Sequence, residues 1–181
     1  KAANEENVDL NKMGVEEIIL FMKVKKIGID CSGFVFWMLD ALDIEKGGNG
    51  IMEKNAVRSR ANAMALTGSG LSFPVEKIED IIPGDMIRIR RGKHVAVILS
   101  LEKTAEGKII VINYAHSSAG SHTKTSGVHE SKIEITDSDK DLKEQKWSEE
   151  TVNGLSYGAD IFPQYGDGMR RFYFSSTTKA T

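Results

Sequence analysis

The stretch His94-Val95-Ala96-Val97-Ile98-Leu99-Ser100-Leu101 decides the fold, together with Ile109-Ile110-Val111-Ile112-Asn113-Tyr114-Ala115-His116, which follows after a short polar loop. Both segments are rich in β-branched residues, and the 102–108 loop carries Gly107, so they read as two strands of a hairpin. Pairing Leu101 with Ile109 sets His94 directly opposite His116, and directly opposed residues share a face with Cβ atoms about 5 Å apart. A slip of one residue would send the two rings to opposite faces. Outward from the hairpin, 85–90, 128–135 and 169–174 read as further strands, and Arg91-Gly92-Lys93 as a turn.

Ahead of Pro83-Gly84 the pattern is helical. Residues 14–23 are good helix formers with two Glu near the start, which suits the helix dipole. A second helix fits 31–43, with Phe34, Met38 and Leu42 at i, i+4 and i+8, and Gly47, Gly48 and Gly50 break it. A third is expected over 53–66, with Val57, Ala61, Met64 and Ala65 inward. Residues 137–167 are acidic, then aromatic and glycine-containing, without a period, and read as an insertion with at most a short helix near 139–147. Helices first and an antiparallel meander second make an α+β domain, with N-terminal helices packed on an antiparallel sheet.

The 181 residues fit one domain over 1–181, and a chain of this length buries a sufficient core without staples. Its single cysteine, Cys31, excludes an intrachain disulfide. A net charge of −2 argues against a nucleic-acid partner. The longest apolar runs, such as 34–39, fall far below the roughly 20 residues of a membrane span. The first residue is Lys and no signal peptide is visible, so the chain reads as a processed or trimmed fragment.

Cys31 lies in Gly28-Ile29-Asp30-Cys31-Ser32-Gly33-Phe34, where a loop enters a helix. Free N–H groups and the dipole at a helix start favour thiolate over thiol, and the same groups steady an oxyanion. Asp30 and Ser32 are the polar neighbours of that position. A thiolate nucleophile needs a base held by a third group, and the hairpin supplies His94 and His116. His122 and His129 fall in or near a Ser/Thr/Gly-rich loop and read as solvated. Against the nucleophile stands the reading of a lone cysteine as a small buried hydrophobe. A zinc site of Cys31, His94 and His116 is a further alternative, but the short paired spacing typical of zinc ligands is missing, so neither metal nor cofactor is expected.

Arg88, Arg90, Arg91 and Lys93 read either as a solvated strand and turn or, for Arg88 and Arg90 on one strand face, as binders of a substrate carboxylate. Trp147, Tyr157 and Tyr165 either cover the cleft or, the favoured reading, anchor the insertion to the core.

Four blocks in order, Asp30-Cys31-Ser32-Gly33-Phe34, Ile82-Pro83-Gly84-Asp85-Met86, His94-Val95-Ala96-Val97-Ile98 and Tyr114-Ala115-His116-Ser117, resemble the NlpC-type cysteine peptidases of bacterial cell walls, over roughly 14–135. Val57-Arg58-Ser59-Arg60-Ala61-Asn62 resembles a weaker block of the same family. The sequence departs from that pattern in 21–27, where no Tyr precedes the Cys block, and at Ala96, where Gly is usual. The resemblance implies a papain-like fold, with Cys31 as nucleophile, His94 as general base and His116 as orienting residue. It also implies hydrolysis of peptide or isopeptide bonds in peptidoglycan stem peptides through a thioester, and an extracellular or cell-envelope location. The alternative is a binding module of the same fold that has lost turnover.

Overall fold

A computed structural model describes residues 8–9, 12–24, 28–51, 62–120 and 122–174. The mixed helix and antiparallel sheet expected of an α+β chain is present. Helix α1 spans Val15–Val24, where Gly14 N–H donates to Glu17 Oε2 at 2.7 Å. Helix α2 spans Cys31–Glu45. Of the helix expected over 53–66, only α3, Ala63–Leu66, falls among the described residues, where Asn62 Oδ1 caps it at Ala65 N. Residues 57–61 of the weaker family block, with Val57 and Ala61, lie outside the described residues, and Met64 is exposed rather than inward.

The strands are β1 (Ser72–Val75), β2 (Met86–Ile89), β3 (His94–Lys103), β4 (Ile109–Ala119), β5 (Ser126–Glu134), β6 (Lys146–Trp147) and β7 (Gly168–Phe172), with the short helix α4 (Tyr157–Asp160) between the last two. They form one sheet in the order β1-β7-β2-β3-β4-β5-β6, with every pairing antiparallel. β1 and β6 were not expected, being too short to show a period. Among the described residues no helix is long and apolar enough to cross a membrane.

The inner face of α2 is not the one expected. Val35, Phe36 and Leu39 pack under the sheet against Met86, Val95, Val97 and Phe172, while Met38 is exposed and Phe34 and Leu42 are half-buried. Two buried acids complete that face. Asp40 accepts from Ile51 N at 2.7 Å and Asp43 from Gly50 N at 3.1 Å, so they stitch the loop after α2 to the helix. Apolar spacing alone misphases this helix because carboxylates occupy inward positions.

β3 is covered on both sides. Val95 and Val97 face α2, whereas Ala96 and Ile98 belong to a second cluster with Ile112, Tyr114, Trp147, Tyr157 and Phe162. The 137–167 segment is therefore not peripheral: it forms the layer over the second face of the sheet. It contains one turn of 3₁₀ helix at Leu142–Glu144, then β6. Trp147 and Tyr157 anchor it, buried to 5 % and 1 % exposure, while Tyr165, 92 % exposed, is not an anchor among the described residues.

The Pro83-Gly84-Asp85 block is a structural clamp. Asp85, buried, takes two bonds from Arg171 at 2.7 and 2.9 Å and one from Ile82 N, while Gly84 has φ +91° with Leu42 so near that a Cβ would meet it at 2.4 Å. Only glycine fits both demands there.

Candidate active site

Asp30 fixes the start of α2. Its side chain accepts from Gly33 N at 2.5 Å and from Ser32 Oγ at 3.0 Å. It is thus a helix cap rather than a neighbour of an oxyanion, since a carboxylate has no proton to donate. Phe34 N is already bonded to Asp30 O, so the amides of Cys31 and Ser32 are the ones left facing the sulfur. Ser117 Oγ donates to Ile29 O at 2.5 Å, tying the loop before Cys31 to the strand that carries His116.

The thiol of Cys31 is held above its ordinary value. Burial is the main cause; the Asp30 charge adds to it, and N–H groups of Val95, Ser32 and Cys31 itself oppose it. The helix-start amides do favour the thiolate, as expected, but loss of water around the sulfur outweighs them. Val95 is the residue after His94, so its contact with the sulfur places the nucleophile beside the start of β3. No hydrogen bond joins Cys31 to His94 among the described residues.

His94 and His116 meet, but not by the expected register. β3 pairs with β4 as Val97↔Ala115 and Ile98↔Tyr114, after bulges between Ile98 and Ser100 and between Glu102 and Lys103. His94 is therefore diagonal to His116, not opposite it. The register differs by an even count, so both rings keep the same face, and diagonal neighbours are within reach of aromatic side chains. His94 Nε2 lies 2.6 Å from His116 Nδ1, with ring centroids 4.9 Å apart.

Beyond His116 stands Glu149, which the sequence reading missed. Its Oε1 and Oε2 lie 3.0 and 3.1 Å from His116 Nε2, Tyr114 OH donates to Oε2 at 2.6 Å, and His129 Nε2 is 3.0 Å from Oε1. Burial alone would raise this carboxyl, yet bonds and charge from His116, with further bonds from Tyr114 and His129, hold it down at about 2. No local signal marks Glu149, one acid in an acidic stretch. His129 is likewise corrected from solvated to part of the cluster. It pairs with His116 across β4 and β5, its side chain is only 12 % exposed, and its Nδ1 lies 3.0 Å from Gly127 O.

The proton arrangement follows from donors and acceptors. An ionised carboxylate only accepts, so His116 Nε2 carries a proton. When the His116 ring is neutral, Nδ1 is the acceptor and His94 donates through Nε2. The free lone pair of His94 is thereby left on Nδ1. Burial, with the neighbouring His116 and Arg90, pushes His94 down to about 3 despite Glu149, so the ring is neutral, and the same push lowers its basicity. Burial, then Glu149, raises Tyr157 well above the ordinary phenol range, so it stays a neutral wall of the site.

The two arginines part company. Arg88 is occupied, donating to Thr67 Oγ1 at 2.7 Å and to Arg91 O at 3.0 Å. Arg90 follows β2 with φ +55°, so strand alternation ends before it and the two do not share a face. The Arg90 charge is felt at His94, His122 and Tyr157. A set able to hold a metal is also present, and it is not the expected one: His116, His129 and Glu149, without Cys31.

No family model, curated protein or solved structure matches the chain.

Proposed function

We propose that this protein is a cysteine peptidase or amidase of the papain-like NlpC kind, cutting peptide or isopeptide bonds in peptidoglycan stem peptides. The observation that carries this reading is the run of contacts from Glu149 through His116 to His94, ending one residue from the strand amide that touches Cys31. Such a run orients a base toward a nucleophile at a helix start. As Sγ attacks the scissile carbonyl, Nδ1 of His94 takes the thiol proton. The amides of Cys31 and Ser32 meet the oxyanion that forms. The protonated His94 then returns its proton to the leaving amine, giving a thioester that water, deprotonated by His94, hydrolyses. Arg90 supplies the cation for a substrate carboxylate, and Arg88 is a structural residue. Stem peptides carry carboxylates, and such a substrate puts the enzyme in the cell envelope or outside it.

Mass spectrometry of peptidoglycan fragments after incubation with the wild-type chain and Cys31→Ala tests the reading. Stem-peptide cleavage by the first and none by the second is expected. Equal cleavage by a folded Cys31→Ala protein overturns it. An inactive binding module would leave the fragments intact with both proteins.

A further inference from the structure

We infer that His116, His129 and Glu149 form a binding site for a zinc-type divalent cation, and that its occupancy silences the Cys31–His94 pair. The ligand atoms are already close. Glu149 Oε1 lies 3.0 Å from His116 Nε2 and 3.0 Å from His129 Nε2, and all three lie within 4.8 Å of one another. A tetrahedral ion with bonds of about 2.0–2.1 Å requires ligand atoms roughly 3.3 Å apart, so two of the three edges need to move by only a few tenths of an ångström. Two imidazoles and one carboxylate are a donor set that zinc accepts, with a fourth position for water.

Each ligand is also held from behind, as built metal sites are. His129 Nδ1 lies 3.0 Å from Gly127 O, which orients Nε2 inward. Tyr114 OH donates to Glu149 Oε2 at 2.6 Å, leaving Oε1 as the coordinating oxygen. His116 Nδ1 contacts His94 at 2.6 Å. The backbone adds rigidity, because His116 and His129 are paired across adjacent strands. An entry path exists as well. A cavity of about 550 Å³ is lined by His129 and Glu149 and by Lys124, Glu130, Lys132 and Glu150. Lys124 pairs with Glu150 and Lys132 with Glu134, so the cations on its wall are matched by acids. An ion and its water reach the cluster from that side.

The silencing rests on the peptidase reading; the binding does not. A cation on His116 Nε2 displaces the proton there, which moves to Nδ1. Nδ1–H then donates to His94 Nε2, and the His94 proton shifts from Nε2 to Nδ1. The lone pair that would accept the thiol proton is gone. At His129 the Nε2 proton leaves to solvent.

Zinc chloride alone, titrated calorimetrically into Cys31→Ala, tests the site without the thiol. One equivalent should bind, and His129→Ala or Glu149→Gln on that background should weaken it at least about 100-fold. Two variants are used so that a misfolded one, detected by circular dichroism, does not decide the matter. No saturable binding, or binding indifferent to a folded variant, overturns the site. Cobalt in the Cys31-containing chain should give tetrahedral bands without thiolate charge transfer; a charge-transfer band overturns it in favour of Cys31 as ligand. Zinc should also slow alkylation of Cys31 by iodoacetamide, and His129→Ala should abolish that protection. Binding without protection overturns the silencing and leaves the site. Absence of stem-peptide cleavage, with binding intact, overturns only the peptidase reading.

Discussion

His116 donates through Nε2 to Glu149, 3.0 Å away and 33 positions later in the chain, while its Nδ1 meets His94 at 2.6 Å. One buried ring thus links a β-strand base to a carboxylate from the layer that covers the sheet opposite α2. The carboxylate chooses the tautomer of both histidines, so its charge, not its bulk, should matter. Glu149→Gln keeps the shape and loses the charge. Stem-peptide hydrolysis is expected to fall by roughly 100-fold or more, within the range for general acid–base steps. Steady-state kinetics on a synthetic stem peptide checks this, and an unchanged kcat would remove Glu149 from the relay.

His94→Ala should cost more than His116→Ala. The first removes the group that accepts the thiol proton, and the second removes only its orientation. Expected losses in kcat are about 10²–10⁴ for His94 and smaller for His116. Residues acting as a unit are not additive, so the double variant should resemble His94→Ala alone. Alkylation of Cys31 offers a readout without substrate: if His94→Ala reacts with iodoacetamide as fast as wild type near neutral pH, His94 does not activate the thiol.

Arg88 and Arg90 should separate by phenotype. Arg90→Gln is expected to raise KM more than it lowers kcat, the mark of lost uniform binding. Arg88→Gln is expected to leave KM alone and to lower stability by about 1–2 kcal/mol, since its guanidinium holds Thr67 and the Arg91 carbonyl. Thermal melts and kinetics on both variants decide it, and the reverse pattern would return substrate binding to Arg88.

Gly158→Ala tests whether the outer layer is packed as described. A Cβ there would meet the Trp147 ring at 2.2 Å, and that ring is fixed by its Nε1 bond to Leu142 O at 2.8 Å. Overpacking should cost about 1–3 kcal/mol. Because Trp147 stacks edge-on against Tyr114, which holds Glu149, hydrolysis should fall as well. A melting temperature equal to wild type would show that this glycine is not confined.

Local pattern alone determined much of this molecule. The helices at Val15–Val24 and Cys31–Glu45 and the β3–β4 hairpin follow from spacing and end signals that lie within a few residues of one another. That His94 and His116 share a face was legible too, because strand parity survives an even shift of register. The register itself was not legible: β3 runs on to Lys103, so Lys103 rather than Leu101 pairs with Ile109, and the two bulges, one on each strand, cancel. Nor was the phase of α2, where Asp40 and Asp43 sit inward to hold backbone amides of a distant loop. Tertiary structure alone chose Glu149 from a run of acids and brought His129 out of solvent, by laying 137–167 over the second face of the sheet. It also set the balance at Cys31. A helix start is a local feature that favours thiolate, whereas the burial that keeps the thiol protonated arises only when helix, sheet and loop close around it.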